Sequence, residues 1–281
     1  MGKINITFST CFYVVKSKYD ITSYSGWIEN FMRLTCTNNF YLVIYTDEDS
    51  LEYINLDIAN NNNVRVILKP FESFHGYKYK DKWISNHEKN TELNTRTEWV
   101  LNMIWSEKVY FVQETTQQNY FENTDFYGWC DIGYFRNRPE KDIPMDTLIQ
   151  HGWPKPECID RLDQTKIVYS FVNTNSEYLN CLYNVIVDKN QHGLPNNPIP
   201  DHQVSVAGGF FISPKHMVDW WVKTYTEKLS LYFEHGYLVK DDQMILIDCI
   251  FSDASNFSLI TNLSSSCESW FMFQRVLCDI P

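Results

Sequence analysis

The stretch FYGWCDIGYFRN, residues 126–137, sets a single acid, Asp131, among aromatic and small residues. Gly133 follows two positions on, then Arg136. The residues up to Cys130 have the apolar, aromatic make-up of a buried strand. A carboxylate at the C-terminal edge of a central strand faces the crevice in which open α/β sheets bind ligands. Its oxygens are hard ligands, suited to hold Mg²⁺ or Mn²⁺ against a diphosphate. Gly133 would let a ligand approach the backbone. A purely structural reading also stands: Asp131 caps a turn and Gly133 supplies its positive φ.

Upstream, the chain alternates. INITFSTCFYVV is a β-branched and aromatic strand, followed by a loop at KSKYDITSYS. SGWIENFMRLTC carries Trp27, Ile28, Phe31 and Leu34 at helical spacing. FYLVIYTDED is an almost continuous apolar run, as in a buried parallel strand, and NNNVRVILKPF is a further strand. Strand, helix, strand, strand is the order of an α/β domain. ESFHGYKYKDKWISNHEKN has no clean period and is expected to be a long surface loop. TELNTRTEWVLNMIWSEKVYFVQET follows as a long helix, with Thr95 and Glu98 spaced as a capping box. Leu101, Trp105 and Lys108 share one stripe of that helix, so a lysine ends an apolar face.

Downstream, TKIVYSFV is a strand and SEYLNCLYNVIVD a helix. A Pro/Asn-rich loop then leads to VSVAGGFFIS, a strand interrupted by Gly208 and Gly209. Glycine inside a strand marks a bulge or a close approach by a ligand. KHMVDWWVKTYTEKLSLYFEHG is a long helix, and DDQMILIDCIF a helix opened by Asp241, Asp242 and Gln243. Acids in a first turn are favoured by capping and by the helix dipole. No repeat and no composition break appears, so one domain is expected.

The 281 residues carry 35 acids against 24 Lys and Arg, a net charge of -11, which removes the broad basic footprint of a nucleic-acid binder. The eight cysteines form no C-x-x-C pair, so zinc-ribbon and thioredoxin readings fall away. No signal peptide and no spanning segment is read, so reduced thiols and a cytoplasmic location are the default. The N-x-S/T sequons at Asn5, Asn256 and Asn262 are then chance matches. The sequence has no G-x-S-x-G elbow, no P-loop, no G-x-G-x-x-G after the first strand and no H-E-x-x-H.

In their order, TEWVLNMIWSEKVYFVQETTQQNYFENTDFYGWCDIGYFRN and GGFFISPKHMVDWWVKTYTEKLSLYFEHGYLVKDDQMIL resemble the two main blocks of the HtrL/YibB family of glycosyltransferase-like proteins. The likeness covers most of the chain and is weakest over residues 69–94 and in the C-terminal tail. A wider similarity is to glycogenin-like GT-A glycosyltransferases. There WCDIG stands where D-x-D stands, VAGGFF where N-A-G stands, and DDQMIL where D-Q stands.

The resemblance implies a GT-A-type (Rossmann-like) mixed central sheet flanked by helices in a single domain. The nucleotide-binding half would span about 1–135 and the acceptor half about 136–281. It implies a nucleotide-diphosphate sugar as donor, an acceptor it does not name, and Mn²⁺ or Mg²⁺ on Asp131. Gly208 and Gly209 would flank the donor. Asp241, Asp242 and Gln243 would face the donor sugar or the acceptor, with Asp242 or Asp241 as general base if configuration inverts. Thr10, Phe12 and Tyr13 would meet the nucleotide base.

Two departures bear on the metal. Gly133 replaces the second acid of D-x-D, and the tail SCESWFMFQRVLCDIP lacks the H-x-x-G-x-x-K-P-W clamp. Either the metal has fewer protein ligands, or cations from Lys108, Arg136 and Lys16 neutralise the leaving diphosphate. A GT-A-like binding module without catalysis and a nucleotidyltransferase are the alternatives.

Overall fold

Every second residue of the strands belongs to one of two apolar clusters, and this alternation places the core on both faces of one sheet. A computed structural model describes residues 4–58, 62–122, 124–261 and 268–280. Asn262, Cys267 and part of the asparagine run at 60–63 lie outside them. The strands are β1 (Ile6–Cys11), β2 (Tyr41–Thr46), β3 (Val64–Leu68), β4 (Phe126–Cys130), β5 (Ile167–Phe171), β6 (Phe210–Pro214) and β7 (Phe257–Thr261). They form a seven-stranded sheet in the order β3-β2-β1-β4-β6-β5-β7. β3, β2, β1 and β4 run parallel, β6 is antiparallel to both β4 and β5, and β7 is parallel to β5. The result is a single-domain α/β fold with a mixed sheet, and one sheet runs through both halves of the chain.

The helices are α1 (Ile21–Leu34), α2 (Lys80–Lys89), α3 (Trp99–Gln118), α4 (Met145–Gln150), α5 (Pro156–Asp160), α6 (Ser176–Val187), α7 (Val218–Glu234), α8 (Asp242–Ser252) and α9 (Phe273–Val276). One cluster joins Val43, Tyr45, Tyr127, Trp129 and Phe211 to α3, α7 and α8. The other joins Leu42, Ile44, Phe126, Cys130, Phe210 and Ile212 to α1, α4, α5 and α9. No described helix is long and apolar enough to cross a membrane.

The chain runs β1, β2, β3 to one side and returns with β4 on the other side of β1. Such a reversal opens a crevice at the C-terminal ends of the two strands. α3, lying over β1 and β4, forms one wall of it.

Several expectations are corrected. α1 begins inside the expected 16–25 loop, because the Asp20 carboxylate caps it by accepting the Ser23 N–H at 2.8 Å. α3 starts at Trp99 with no side-chain cap, so Thr95 and Glu98 do not form a capping box. Gly208 and Gly209 precede β6 in a turn and do not interrupt it. β7, not expected from the sequence, is paired along its length with β5.

The expected 72–90 loop is ordered support for the site. It holds a short helical turn, His75–Tyr79, and then α2. Trp83 is fully buried, edge-on to Phe233 at 4.7 Å, and its Nε1 donates to the Gly76 carbonyl at 3.2 Å. On the same helix Asn86 grips Val239 twice, donating to its carbonyl and accepting its N–H, both at 2.8 Å. Asn90 donates to the Lys240 carbonyl at 2.9 Å. α2 therefore fixes the two residues that precede Asp241. A further anchor lies within α8, where buried Asp248 meets Lys189, Lys228 at 3.1 Å and the Tyr232 hydroxyl at 2.8 Å.

We predict that Trp83→Ala lowers unfolding stability by about 3–5 kcal/mol, the usual cost of emptying a buried Trp site. Urea unfolding checks this; a change under about 0.5 kcal/mol, as at an ordinary surface position, would return the segment to a loop.

Candidate active-site cleft

Two adjoining hollows lie over the C-terminal ends of β1 and β4, about 140 Å³ and about 350 Å³ in volume. Tyr19, Tyr24, Trp105, Lys108, Asp131 and Arg136 line both, so they are parts of one cleft. The larger part alone reaches the size of a small-molecule site. The smaller part is mainly apolar and aromatic, with Phe12, Tyr13, Trp27 and Trp129 in its wall. The larger part carries the acids Asp131, Asp241, Asp242 and Glu268, together with Gly208, Gly209 and Gln243.

At the floor, Lys108 joins the separate segments. Leu101, Trp105 and Lys108 all face the cleft, as the stripe on α3 predicted. The Lys108 Nζ lies 3.2 Å from Asp131 Oδ1 and 3.0 Å from Asp242 Oδ2, and donates to the Gly208 carbonyl at 2.9 Å. An ammonium has three N–H groups, so all three are engaged. Burial works against the Lys108 charge, but Asp131 and Asp242 outweigh it and raise its pKa.

Asp131 follows the last residue of β4, and its N–H extends the ladder to the Gly209 carbonyl at 2.8 Å. Its Oδ1 also accepts the Trp129 Nε1–H at 2.6 Å. Asp242 opens α8 and is buried; desolvation raises its pKa to about 6, with Lys108 opposing and Asp241 and Asp131 adding to the rise. Asp241, also buried, has Oδ2 3.5 Å from the Lys240 Nζ and an Oδ1 with no partner among the described residues. Gln243 donates to the Val206 carbonyl at 2.9 Å and so holds the turn before β6.

The glycines now have specific causes. A Cβ on Gly208 would stand 2.7 Å from Asp242 Oδ2, and one on Gly209 3.0 Å from Asp131 Oδ2. The two carboxylates fill the space that side chains would need. Gly133 lines the cleft without a positive φ. A Cβ there would meet Trp27 Cε3 at 2.8 Å, so its smallness admits an indole.

Arg136 lies where the two hollows meet. Its guanidinium stands over the rings of Trp27 at 4.5 Å, Tyr19 at 4.7 Å and Phe271 at 5.1 Å. Its Nε donates to the Gly133 carbonyl at 3.1 Å and Nη1 to the Tyr19 hydroxyl at 2.9 Å.

Thr10 is corrected: it is completely buried within β1 and is not part of the cleft wall. Phe12 and Tyr13 do line it, although Phe12 also packs on Tyr24 and Tyr53, and Tyr13 donates to the Lys69 carbonyl at 2.9 Å. Lys16 points elsewhere, donating to the Thr95 carbonyl at 3.1 Å. The cation at the cleft is its neighbour Lys18, over the Trp105 ring at 4.7 Å. The sequence reading passed over Lys18, although it directly precedes Tyr19.

Glu107 was missed too. Buried beside Lys108 on α3, it accepts the N–H groups of His75 and Gly76 at 2.6 and 2.9 Å. Desolvation raises its pKa to about 7 against those two hydrogen bonds.

A divalent ion shared by Asp131 and Asp242 would need their oxygens to converge on it. Both carboxylates turn an oxygen to the Lys108 ammonium instead. An ion bridging the two through those oxygens would have to displace that ammonium.

Compared with known proteins, the chain matches no family model and no curated sequence.

Two results are expected from this geometry. Lys108→Met leaves the buried Asp242 carboxylate without its cation and should cost about 3–5 kcal/mol in urea unfolding. The second concerns pH. Folded Asp242 keeps its proton up to about pH 6, against an ordinary 3.8, so the native chain binds the extra proton between those values. Stability therefore falls as pH rises through that window, by at most about 1.4 kcal/mol per pH unit. Glu107, raised to about 7, adds a fall that both proteins share, so Asp242→Asn should fall less steeply than wild type. Unfolding curves across that window check it, and parallel slopes in wild type and variant would refute the assignment.

Proposed function

We propose that the chain is a GT-A-type glycosyltransferase that moves a sugar from a nucleotide-sugar donor to an acceptor hydroxyl. One observation carries the reading. An aromatic hollow opens directly into a second hollow whose floor is the Asp131–Lys108–Asp242 bridge, at the C-terminal ends of the strands where the sheet order reverses. The aromatic part suits a base and ribose. The acid-lined part suits a sugar and an incoming hydroxyl. The likeness of WCDIG, VAGGFF and DDQMIL to the HtrL/YibB and glycogenin-like blocks supports the same reading.

The roles follow from the chemistry. Cleaving the bond from sugar to diphosphate develops negative charge on the leaving group, which cations in the cleft stabilise. Reactants must also be held in line. Asp242, with a pKa near 6, is ionised at neutral pH yet basic enough to take a proton from the acceptor hydroxyl. Lys108 keeps it in place. Asp131 faces the donor, with 41% of its side chain exposed to the cleft. Gln243 holds the Val206 turn and with it the two glycines.

Thermal unfolding with UDP, GDP, CDP, ADP and their sugar conjugates tests the reading, because a ligand of the native state raises the midpoint. One nucleotide class should raise it in wild type, and the further rise with its sugar conjugate should be smaller in Asp131→Asn. With the donor so identified, Asp242→Asn should lower kcat/KM about 10²–10⁴-fold, and the wild-type rate should rise with pH through about 6. No shift with any nucleotide in a folded sample would sink the reading and favour a binding module.

A further inference from the structure

We infer that Lys18 and Arg136 form the seat for the donor's diphosphate, so that two fixed side-chain cations neutralise it in place of a divalent ion. This rests on the donor reading above.

The chain carries a net charge of -11, so a cation without a carboxylate partner is worth explaining. Lys18 and Arg136 both line the larger hollow, and neither pairs with a carboxylate among the described residues. Both are held by aromatic faces instead, Lys18 by Trp105 and Arg136 by Trp27, Tyr19 and Phe271. A ring face attracts a cation through its quadrupole and leaves the charge uncancelled. The two side chains are thus positioned but not neutralised, which is the state an anion site requires.

Lys108 cannot fill this role without giving up a partner, since its three N–H groups are engaged. The bridge it makes is itself negative, one ammonium against two carboxylates. A diphosphate is repelled from it and drawn to Lys18 and Arg136, which line the same hollow. Arg136 lies where the hollows meet, between the space for a base and the space for a sugar. Its Nε and Nη1 are tied to Gly133 and Tyr19, which leaves Nη2 without a protein partner among the described residues.

Isothermal titration with UDP, GDP, CDP and ADP, and with the matching nucleosides, tests this in excess EDTA and again in Mn²⁺. One nucleoside diphosphate should bind in EDTA with a Kd within about threefold of that in Mn²⁺, and at least about 100-fold more tightly than its nucleoside. Lys18→Gln should weaken the diphosphate about 10-fold and Arg136→Gln about 100-fold, with nucleoside binding little changed. Lys18 is at the surface, so its variant will fold even if Arg136→Gln does not. Binding that requires Mn²⁺, or that is indifferent to Lys18→Gln, overturns the seat while leaving the donor reading intact. Binding of no nucleotide under either condition overturns both.

Discussion

The Lys108 ammonium has three N–H groups and three oxygens to receive them, and much of the cleft is arranged around that closure. An isolated charge in the interior costs several kcal/mol even after relaxation. Lys108 and Asp242, both buried, are therefore tolerable only as partners, with the part-exposed Asp131 as the second carboxylate on the ammonium; the three come from α3, α8 and the end of β4. Bringing them together forces the turn before β6 to pass against both carboxylates, so glycines stand at 208 and 209. It also requires α8 to start at a fixed place. Asn86, Asn90 and Asn102 achieve this from α2 and α3 by holding Val239 and Lys240. Glu107, next to Lys108, ties the turn before α2 to the same helix. The bridge and its scaffold are thus one connected set of polar contacts under an aromatic cleft.

Two kinds of partner hold the charges of that cleft. Asp131 and Asp242 are held by the Lys108 ammonium and Glu268 by Arg138, whereas Lys18 and Arg136 are held by rings. Aromatic residues make up 16% of the chain, and part of that excess serves this purpose. A ring can fix a guanidinium or an ammonium in position without spending its charge, as a carboxylate partner would. An acidic protein can in this way keep a local positive surface for an anionic ligand.

The sheet was legible because buried parallel strands are continuous apolar runs, and FYLVIYT and KIVYSF carry that signature strongly. Asp131 was legible because one acid ends such a run. The stripe Leu101, Trp105, Lys108 was legible because a lysine on an apolar face has to be paired or exposed. α2 was not, because only Trp83 and Asn86 are buried along it, too few to set a period. β7 was not, because it is a short edge strand, mostly half-buried, whose polar Ser258 and Thr261 follow no alternation. Thr10 misled because strand parity decides which face a residue takes, and it shares its face with Phe8. Lys18 was hidden because a cation–π partner 87 positions away, Trp105, leaves no mark on local sequence.

Gly133 shows how one small residue can act through two neighbours. Its missing side chain makes room for the Trp27 ring, which α1 carries across the end of β4. That ring is the nearest of the three beneath the Arg136 guanidinium, at 4.5 Å. The Gly133 carbonyl, 3.1 Å from Arg136 Nε, fixes the fork from the other side. A larger residue at 133 would push the indole away and remove the face on which the guanidinium rests. The glycine beside Asp131 therefore belongs to the positive wall of the cleft as much as to its acidic floor. Within three residues the chain supplies the carboxylate that one ammonium holds and the space on which a free guanidinium depends.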